Sequence, residues 1–204
     1  MLFNSISFLI FLPIVFVLYW FVTNKNLRHQ NLMLLISSYF FYSCWDFRFL
    51  FLLMFSTLLD YYSGIKIETA STKNKKQLWL FISIFINLGF LGVFKYYDFF
   101  ALSFADALSH LGLIIHPTTL NIILPVGISF YTFHGLSYVI DIYYEKIKSE
   151  RDFINYGLFV SFFPLLVAGP IERATHLLPQ IKKETQPILI GMSFGGVVAI
   201  ELAK

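Results

Sequence analysis

The polar residues of this chain that could do chemistry are concentrated in the apolar segment 124–143, LPVGISFYTFHGLSYVIDIY. His134, Ser137 and Asp141 follow one another at three- and four-residue spacing, so a helix places them on a common face. Polar and ionisable groups inside an apolar helix are candidates either for function or for a buried structural contact. The stripe therefore either packs closely against a neighbouring helix or lines a wet cavity, and the residues alone leave both open.

A second polar group lies in the segment 162–180, FFPLLVAGPIERATHLLPQ, where an apolar run broken by proline and glycine ends in charged residues. The charged and ionisable residues are Glu172, Arg173 and His176. Charges that directly follow a broken helix can be held at a cavity. Because a guanidinium binds phosphate and carboxylate groups well, Arg173 either serves an anionic group or pairs with Glu172 at the membrane interface.

A third candidate is the hydroxyl of Ser193, in the sequence GMSFG at 191–195. The preceding residues are typical of a strand and the following ones of a helix, which is the context of an α/β-hydrolase nucleophile elbow. A working elbow needs an acidic residue and then a histidine later in the chain, and no histidine follows. We therefore interpret Ser193 as part of an incomplete elbow or as a chance likeness.

The composition of the chain is that of a membrane protein. Hydrophobic residues make up 57% of the 204 residues and charged residues 13%, and the mean hydropathy is +0.71. This leaves too little polar surface to cover a water-soluble globule, so we expect the lipid bilayer as its surroundings. The single cysteine, Cys44, excludes an internal disulfide and a cysteine-based zinc site. We predict no metal site and no nucleic-acid partner.

The chain offers six apolar segments near the length of about 20 residues that a membrane-crossing helix needs. These segments are 3–23, 30–45, 47–63, 78–100, 121–144 and 153–171. We therefore predict an all-α, polytopic transmembrane helical bundle. The last segment contains Pro164, Gly169 and Pro170, so it either crosses or re-enters, because irregular backbone at membrane depth must be satisfied by protein or water. Asp60 and Asn87 are predicted to form hydrogen bonds between helices.

Basic residues predict the orientation of the bundle. They cluster in the connections after the first, third and fifth segments: Lys25, Arg28, Lys66, Lys73, Lys75, Lys76, Lys146, Lys148 and Arg151. The opposite connections contain only Arg48. We predict that the N-terminus lies outside, that the three basic connections are cytoplasmic, and that 66–77 is a solvated loop rather than a lipid-headgroup site.

Four motifs, taken in order, resemble one family of membrane enzymes. They are the opening LFNSISFLIFLPIVFVLYW at 2–20, FKYYDFF at 94–100, and the two polar segments at 124–143 and 162–180. Together they closely resemble the membrane-bound O-acyltransferase family, nearest to its bacterial alginate O-acetyltransferase and teichoic-acid D-alanyl-transfer branch. The resemblance covers residues 1–183, as the N-terminal part of such a domain.

The resemblance implies an enzyme of the bacterial cytoplasmic membrane whose helices surround a funnel or tunnel. An acyl donor, either acetyl-CoA or a carrier-bound acyl group, reaches the funnel from the cytoplasm. The acceptor is a hydroxyl of an extracellular polysaccharide, and accessory exopolysaccharide-modifying proteins are implied as partners. The family's catalytic histidine lies well beyond the GPIER-like motif, so His134 is not that residue. We expect no catalytic residue among these 204 and no acyl transfer by this chain alone.

Residues 184–204 do not continue the resemblance, and we treat them as a foreign tail. Three explanations of the tail stay open: a fused or misassembled reading frame, a natural fusion cut short, and an accidental likeness to an elbow. For the whole chain, two other function classes stay open. One is a transporter or channel-like protein whose substrate path is lined by the polar stripe, and the other is a membrane-anchored serine hydrolase fragment that uses Ser193.

Overall fold

The computed structural model describes residues 3–23, 25–110, 124–167, 169 and 171–182. Within these ranges the chain is helical and contains no strand, which confirms the all-α prediction. The helices are α1 (Ile6–Val17), α2 (Leu27–Ser43), α3 (Phe47–Thr69), α4 (Lys73–Leu91), α5 (Tyr97–Ser109), α6 (Ile128–Tyr143), α7 (Phe153–Ser161), α8 (Phe163–Val167) and α9 (Ala174–Ile181). Two π-helical turns, Leu18–Val22 and Gly92–Tyr96, extend α1 and join α4 to α5.

Short polar residues determine where several helices begin. The side chain of Ser5 accepts a hydrogen bond from the backbone N–H of Phe8 at the start of α1. Asn26, Asp46 and Asp152 cap α2, α3 and α7 in the same way. Each cap satisfies one of the backbone N–H groups that have no partner in the first turn of a helix. The polar residues between the apolar segments therefore determine where these helices begin.

Among the described residues, two helical stretches are long and apolar enough to cross a membrane. They are α3, with 23 residues, and the continuous stretch Lys73–Ser109, with 37 residues. Their large apolar side chains point outward, as at Phe51, Phe81 and Phe85, whereas Asp60 is buried between the helices. This arrangement is the reverse of a water-soluble protein and fits a bundle whose outer surface contacts lipid. The chain is therefore a membrane protein.

The third and fourth apolar segments are longer as helices than the hydropathy pattern predicts. The prediction that 66–77 forms a solvated loop is wrong for most of that range, because α3 continues to Thr69 and α4 begins at Lys73. Only 70–72 lies between the two helices. The reason is that glutamate, glutamine and lysine are good helix formers, so the helices continue into the polar region at the membrane surface.

α3 lies at the centre of the bundle and packs on α2, α4, α6 and α7. On one side, an aromatic cluster joins the first two helices to the broken segment that follows α7. In this cluster the ring centroid of Phe163 lies 5.4 Å from those of Phe11 and Phe41 and 6.4 Å from that of Phe8. On the other side, Tyr138 of α6 packs against Tyr156 of α7, with ring centroids 4.4 Å apart.

The last apolar segment turns back instead of crossing the bundle. α7, the short α8 and α9 form a re-entrant hairpin, 153–181, that enters along α2 and returns beside α7. Its two ends meet at the same side chain, since Asn31 Nδ2 donates to Asn155 Oδ1 at 2.9 Å and to the carbonyl of Ile181 at 3.0 Å. Both ends of the segment therefore lie on the same side of the bundle, which favours the re-entrant arrangement of the two left open by the sequence.

Candidate functional site

The candidate site is formed where α6 meets the interior end of the re-entrant hairpin. The two elements first come into contact at Gly127, the residue before α6, which has a positive φ of 75°. The backbone carbonyl of Leu166, in α8, occupies the place where a Cβ of residue 127 would lie. Only glycine allows both the left-handed backbone and this close contact. The two polar segments are thus joined at this point by direct backbone packing.

His134 joins the same two segments a second time, two turns further along α6. Its side chain is completely buried, and its Nε2 accepts a hydrogen bond of 3.2 Å from the backbone N–H of Glu172. Its ring lies against that of Phe159 in α7, with centroids 5.5 Å apart. The imidazole therefore contacts both arms of the hairpin.

The other two residues of the predicted stripe lie on the same helix but do not complete one hydrogen-bonded cluster with His134. The Ser137 hydroxyl donates to the backbone carbonyl of His134 at 2.9 Å, a bond within its own helix. Asp141 is buried, and its Oδ1 lies 3.7 Å from Nζ of Lys146. Its Oδ2 has no hydrogen-bond partner among the described residues. The stripe thus packs against protein at His134 and reaches a cation at Asp141.

Glu172, Arg173 and His176 begin the returning arm of the hairpin. Glu172 Oε2 lies 2.9 Å from Nδ1 of His176, one helical turn later, so the carboxylate orients the imidazole. Arg173 is exposed and is the N-cap residue of α9. The pairing of Arg173 with Glu172 that the sequence left open does not occur among the described ion pairs.

These charged residues lie at the level of the middle of α6, because the Glu172 N–H bonds to His134, the seventh residue of a 16-residue helix. Glu172 and Arg173 themselves lie in non-helical backbone, at 171–173. Irregular backbone and exposed charges at membrane depth are tolerated where they face a water-filled cavity or other protein, not acyl chains. The exposed face of Arg173 and His176 is thus unsuited to direct contact with lipid tails.

A second buried polar cluster lies at the same level on the opposite side of α6. Asp60 Oδ1 accepts from Ser83 Oγ at 2.6 Å and from Asn87 Nδ2 at 2.8 Å, and Ser56 Oγ donates to Asn87 Oδ1 at 2.7 Å. The prediction that Asp60 and Asn87 bond between helices is confirmed. Gly135, next to His134 in the chain, faces the Asp60 carboxylate so closely that a Cβ would overlap it.

Sequence reasoning missed a third polar cluster, at the end of the bundle where α6 is connected to α7. Glu68 accepts from the backbone N–H and hydroxyl of Ser149 and from Arg151 at 2.9 Å. The buried carboxylate of Glu150 pairs with Lys182, at the end of α9, at 2.9 Å. Glu150, an acidic residue close to Lys146, Lys148 and Arg151 in the sequence, is the signal that could have indicated this cluster. It fastens the connection to α3 and to both ends of the hairpin.

Ser193 and the predicted hydrolase elbow lie outside the described residues. Within the described ranges, no group of three or more histidine, cysteine, aspartate or glutamate side chains is placed to hold a metal ion. The cavity-lining role of His134, Ser137, Asp141, Glu172 and Arg173 stays a prediction.

Comparison with known proteins supports the same membrane family. Probable alginate O-acetylase AlgI of Pseudomonas syringae pv. tomato is 39% identical over 92% of this chain and 36% of its own length. Its namesake in Pseudomonas aeruginosa is 37% identical over 92% of this chain and 36% of its own length. Peptidoglycan O-acetyltransferase of Helicobacter pylori is 34% identical over 93% of this chain and 40% of its own length. No protein-family model and no solved structure matches the chain.

The chain spans between one third and two fifths of the length of these curated relatives. The identity nevertheless extends over nine tenths of the chain itself, at levels of 34–39%. This confirms the resemblance carried by the four motifs: the chain belongs to the membrane-bound O-acyltransferase family, in the branch that contains these acetyltransferases.

Proposed function

We propose that this chain forms part of a membrane enzyme that transfers an acyl group, namely acetyl, to hydroxyl groups of an extracellular polysaccharide. The proposal is supported by the hairpin, in which Arg173 and His176 have exposed side chains close to the level of the middle of α6. Such a surface suits the wall of a wet chamber inside a membrane protein. The relatives, an alginate O-acetylase and a peptidoglycan O-acetyltransferase, suggest the acetyl group and the class of acceptor.

The reaction moves an acyl group from a donor to an alcohol. With a thioester donor such as acetyl-CoA, the acceptor oxygen attacks the acyl carbon, a C–O bond forms, and the C–S bond breaks. The proton of the hydroxyl passes through a general base to the leaving thiol. The donor, whether acetyl-CoA or a carrier-bound acyl group, acts as a co-substrate, and we assign no bound cofactor.

The residues of this chain contribute binding and orientation. Arg173 has the chemistry to bind a phosphate of the donor or a carboxylate of the acceptor. Its exposure on the chamber face leaves it available for such a group. The Nε2 of His134 is occupied by the Glu172 N–H. We therefore do not assign His134 as the general base, which in our proposal belongs to a part of the enzyme outside these residues.

We further propose that the protein lies in the bacterial cytoplasmic membrane with its N-terminus outside. The basic ends of α3 and α4 then face the cytoplasm, together with the connection between α6 and α7. An epitope tag inserted at Thr72, between α3 and α4, tests this orientation. The tag should be reached by antibody only after the cells are permeabilised, and labelling of intact cells would overturn it.

A chimaera tests the acyl-transfer function. Residues 1–182 of this chain replace the matching segment of the alginate O-acetylase in Pseudomonas aeruginosa, and ester-bound acetyl on the secreted alginate is measured after mild alkaline release. The chimaera should restore acetylation, and Arg173→Ala should reduce it about tenfold or more if the guanidinium binds a substrate anion. The exposed Lys75→Ala serves as the matched control. A chimaera that reaches the membrane at normal levels and leaves alginate unacetylated would contradict the proposal.

A further inference from the structure

His134 is unusual because a fully buried imidazole contacts backbone groups from both arms of a broken helix. Its Nε2 accepts from the N–H of Glu172, which lies just before α9. A nitrogen that accepts a hydrogen bond carries no proton, so in the neutral ring the proton lies on Nδ1. The backbone carbonyl of Val160, in the last turn of α7, approaches the ring without completing a hydrogen bond to Nδ1.

The sequence explains why the carbonyl of Val160 needs a partner. In a continuous helix it would accept from the backbone N–H four residues later, which is position 164. That residue is Pro164, which has no N–H. α7 ends at Ser161, and the backbone of Phe162 leaves the helical region with ψ 114°. A buried carbonyl without a donor costs about 1–3 kcal/mol, so a side-chain N–H at this place stabilises the break.

We propose that His134 is a positioning residue: its neutral ring, protonated at Nδ1, links the two arms of the re-entrant hairpin through the Glu172 N–H and the Val160 carbonyl. The link holds the start of α9 at membrane depth and thereby sets where Arg173 and His176 face the chamber. The importance of those two residues rests on the proposed function. The position of the ring proton and the link between the two arms are independent of the proposed function.

The tautomer can be measured directly. Solid-state ¹⁵N NMR of the histidine-labelled chain in lipid separates the neutral ring protonated at Nδ1 from that protonated at Nε2 and from the imidazolium. The chain has five histidines, so the spectrum of His134→Gln assigns the resonances by difference. We expect the buried ring to carry its proton on Nδ1 at neutral pH. A proton on Nε2, or on both nitrogens, would overturn the proposal.

The link can be tested by the accessibility of residue 173. In a Cys44→Ser background, Arg173→Cys is labelled in membranes with a hydrophilic maleimide, with and without a second change at His134. His134→Ala removes both contacts and should change the labelling rate about tenfold. His134→Gln should stay within about twofold of the parent, because a glutamine amide can both accept and donate a hydrogen bond. Ser137→Ala is the matched control on the same face, since its hydroxyl bonds only to its own helix.

Equal labelling rates for His134→Ala and the parent would overturn the link, as would a His134→Gln rate equal to that of His134→Ala. Membrane insertion of each variant is checked by its resistance to alkaline extraction. If His134→Ala does not insert, the position of the ring proton measured by ¹⁵N NMR still decides the proposal. Neither measurement requires acyl transfer, so failure of the proposed function would leave these outcomes unchanged.

Discussion

Two regions of this bundle use buried polar side chains in different ways. Where α3, α4 and α6 are continuous, Asp60, Ser83 and Asn87 bond mainly to one another across the helix interface. Around the re-entrant hairpin, His134 of α6 and Ser38 of α2 bond instead to backbone N–H groups of the hairpin, those of Glu172 and Phe163. The difference follows from the backbone, because a continuous helix satisfies its own N–H and C=O groups and a broken one does not.

The comparison shows what each kind of contact can do. Side-chain bonds between continuous helices set which faces meet, but the helices would form without them. Side-chain bonds to a broken backbone replace hydrogen bonds that the chain cannot make for itself. Polar residues therefore stabilise the association of helices in the first region and the local chain path in the second. Three substitutions separate these roles, and a fourth tests an exposed contact that belongs to neither region.

The largest effect is expected at Gly135, where the two regions meet on α6. An alanine Cβ would lie 2.9 Å from Cγ of Asp60 and would overlap its Oδ2. Overpacking of this kind costs about 1–3 kcal/mol, and the direct overlap with a buried carboxylate predicts the upper end of that range, against a gain in helix propensity of about 1 kcal/mol. Gly135→Ala should therefore lower the free energy of unfolding by about 2 kcal/mol, measured by titration from mild detergent into dodecyl sulfate.

Gly89 is the matched control for this substitution, since a Cβ there meets nothing within 4 Å. Gly89→Ala should leave the stability unchanged or raise it slightly. Asp60→Ala should suppress much of the loss caused by Gly135→Ala, because it removes the group that the new Cβ meets. If the two losses simply add, the close contact between these residues is not the cause.

A smaller loss of stability is expected when hydrogen bonds of the cluster between α3 and α4 are removed. Asn87→Ala removes the 2.8 Å bond to Asp60 and the acceptor of Ser56 Oγ. Hydrogen bonds between membrane helices contribute about 0.6 kcal/mol on average, so two such losses predict about 1 kcal/mol in the same titration. Leu88→Ala, at an outward position of the same helix, is the control. The cluster would have no stabilising role if Asn87→Ala lost no more than this control.

Much of the first region could be predicted from sequence. The apolar segments indicate the helices, and an aspartate and an asparagine within them indicate hydrogen bonds between helices. Both Asp60 and Asn87 behave as expected. The partner Ser83 and the contact with Gly135 could not be predicted, because they depend on the rotation of each helix about its axis. Hydropathy contains little information about that rotation.

Much less of the second region could be predicted. Pro164, Gly169 and Pro170 predict an interruption of the last apolar segment, and they indicate that the backbone there needs other partners. Which side chains supply those partners depends on contacts more than 30 residues apart in the chain, such as Ser38 with Phe163. The helical spacing correctly placed His134 and Asp141 on one helix, yet it could not show that His134 bonds to backbone.

Ser38→Ala tests a side-chain bond to the broken backbone and leaves the side-chain bonds between α3 and α4 in place. It removes the acceptor of the Phe163 N–H, a bond of 3.2 Å at the start of α8. The loss of one buried acceptor predicts a local destabilisation of about 1 kcal/mol, or five- to tenfold faster amide exchange at Phe163. Hydrogen exchange in lipid nanodiscs measures it, with Ser43→Ala as the control, since Ser43 bonds only within α2. Faster exchange spread through α3 as well would show that the contact is not local.

The smallest effect is expected at the exposed ion pair between α4 and the end of α6, which involves neither a helix interface nor a broken backbone. Lys76 Nζ lies 2.9 Å from Oε1 of Glu145, and this hydrogen bond and charge lower the pKa of Glu145 below its ordinary value. A carboxyl whose pKa is lower when folded stabilises the protein above its unfolded pKa and loses this contribution as pH falls through the folded pKa.

Lys76→Ala should therefore raise the pKa of Glu145 toward its ordinary value, and ¹³C NMR titration of the labelled carboxyl measures the shift. The stability at neutral pH should not change measurably, because exposed ion pairs are screened by water. Lys75→Ala, on the same turn of α4, should leave the pKa of Glu145 in place. An equal shift in both variants would mean that the general positive charge of this surface, and not the contact with Lys76, holds the carboxyl ionised.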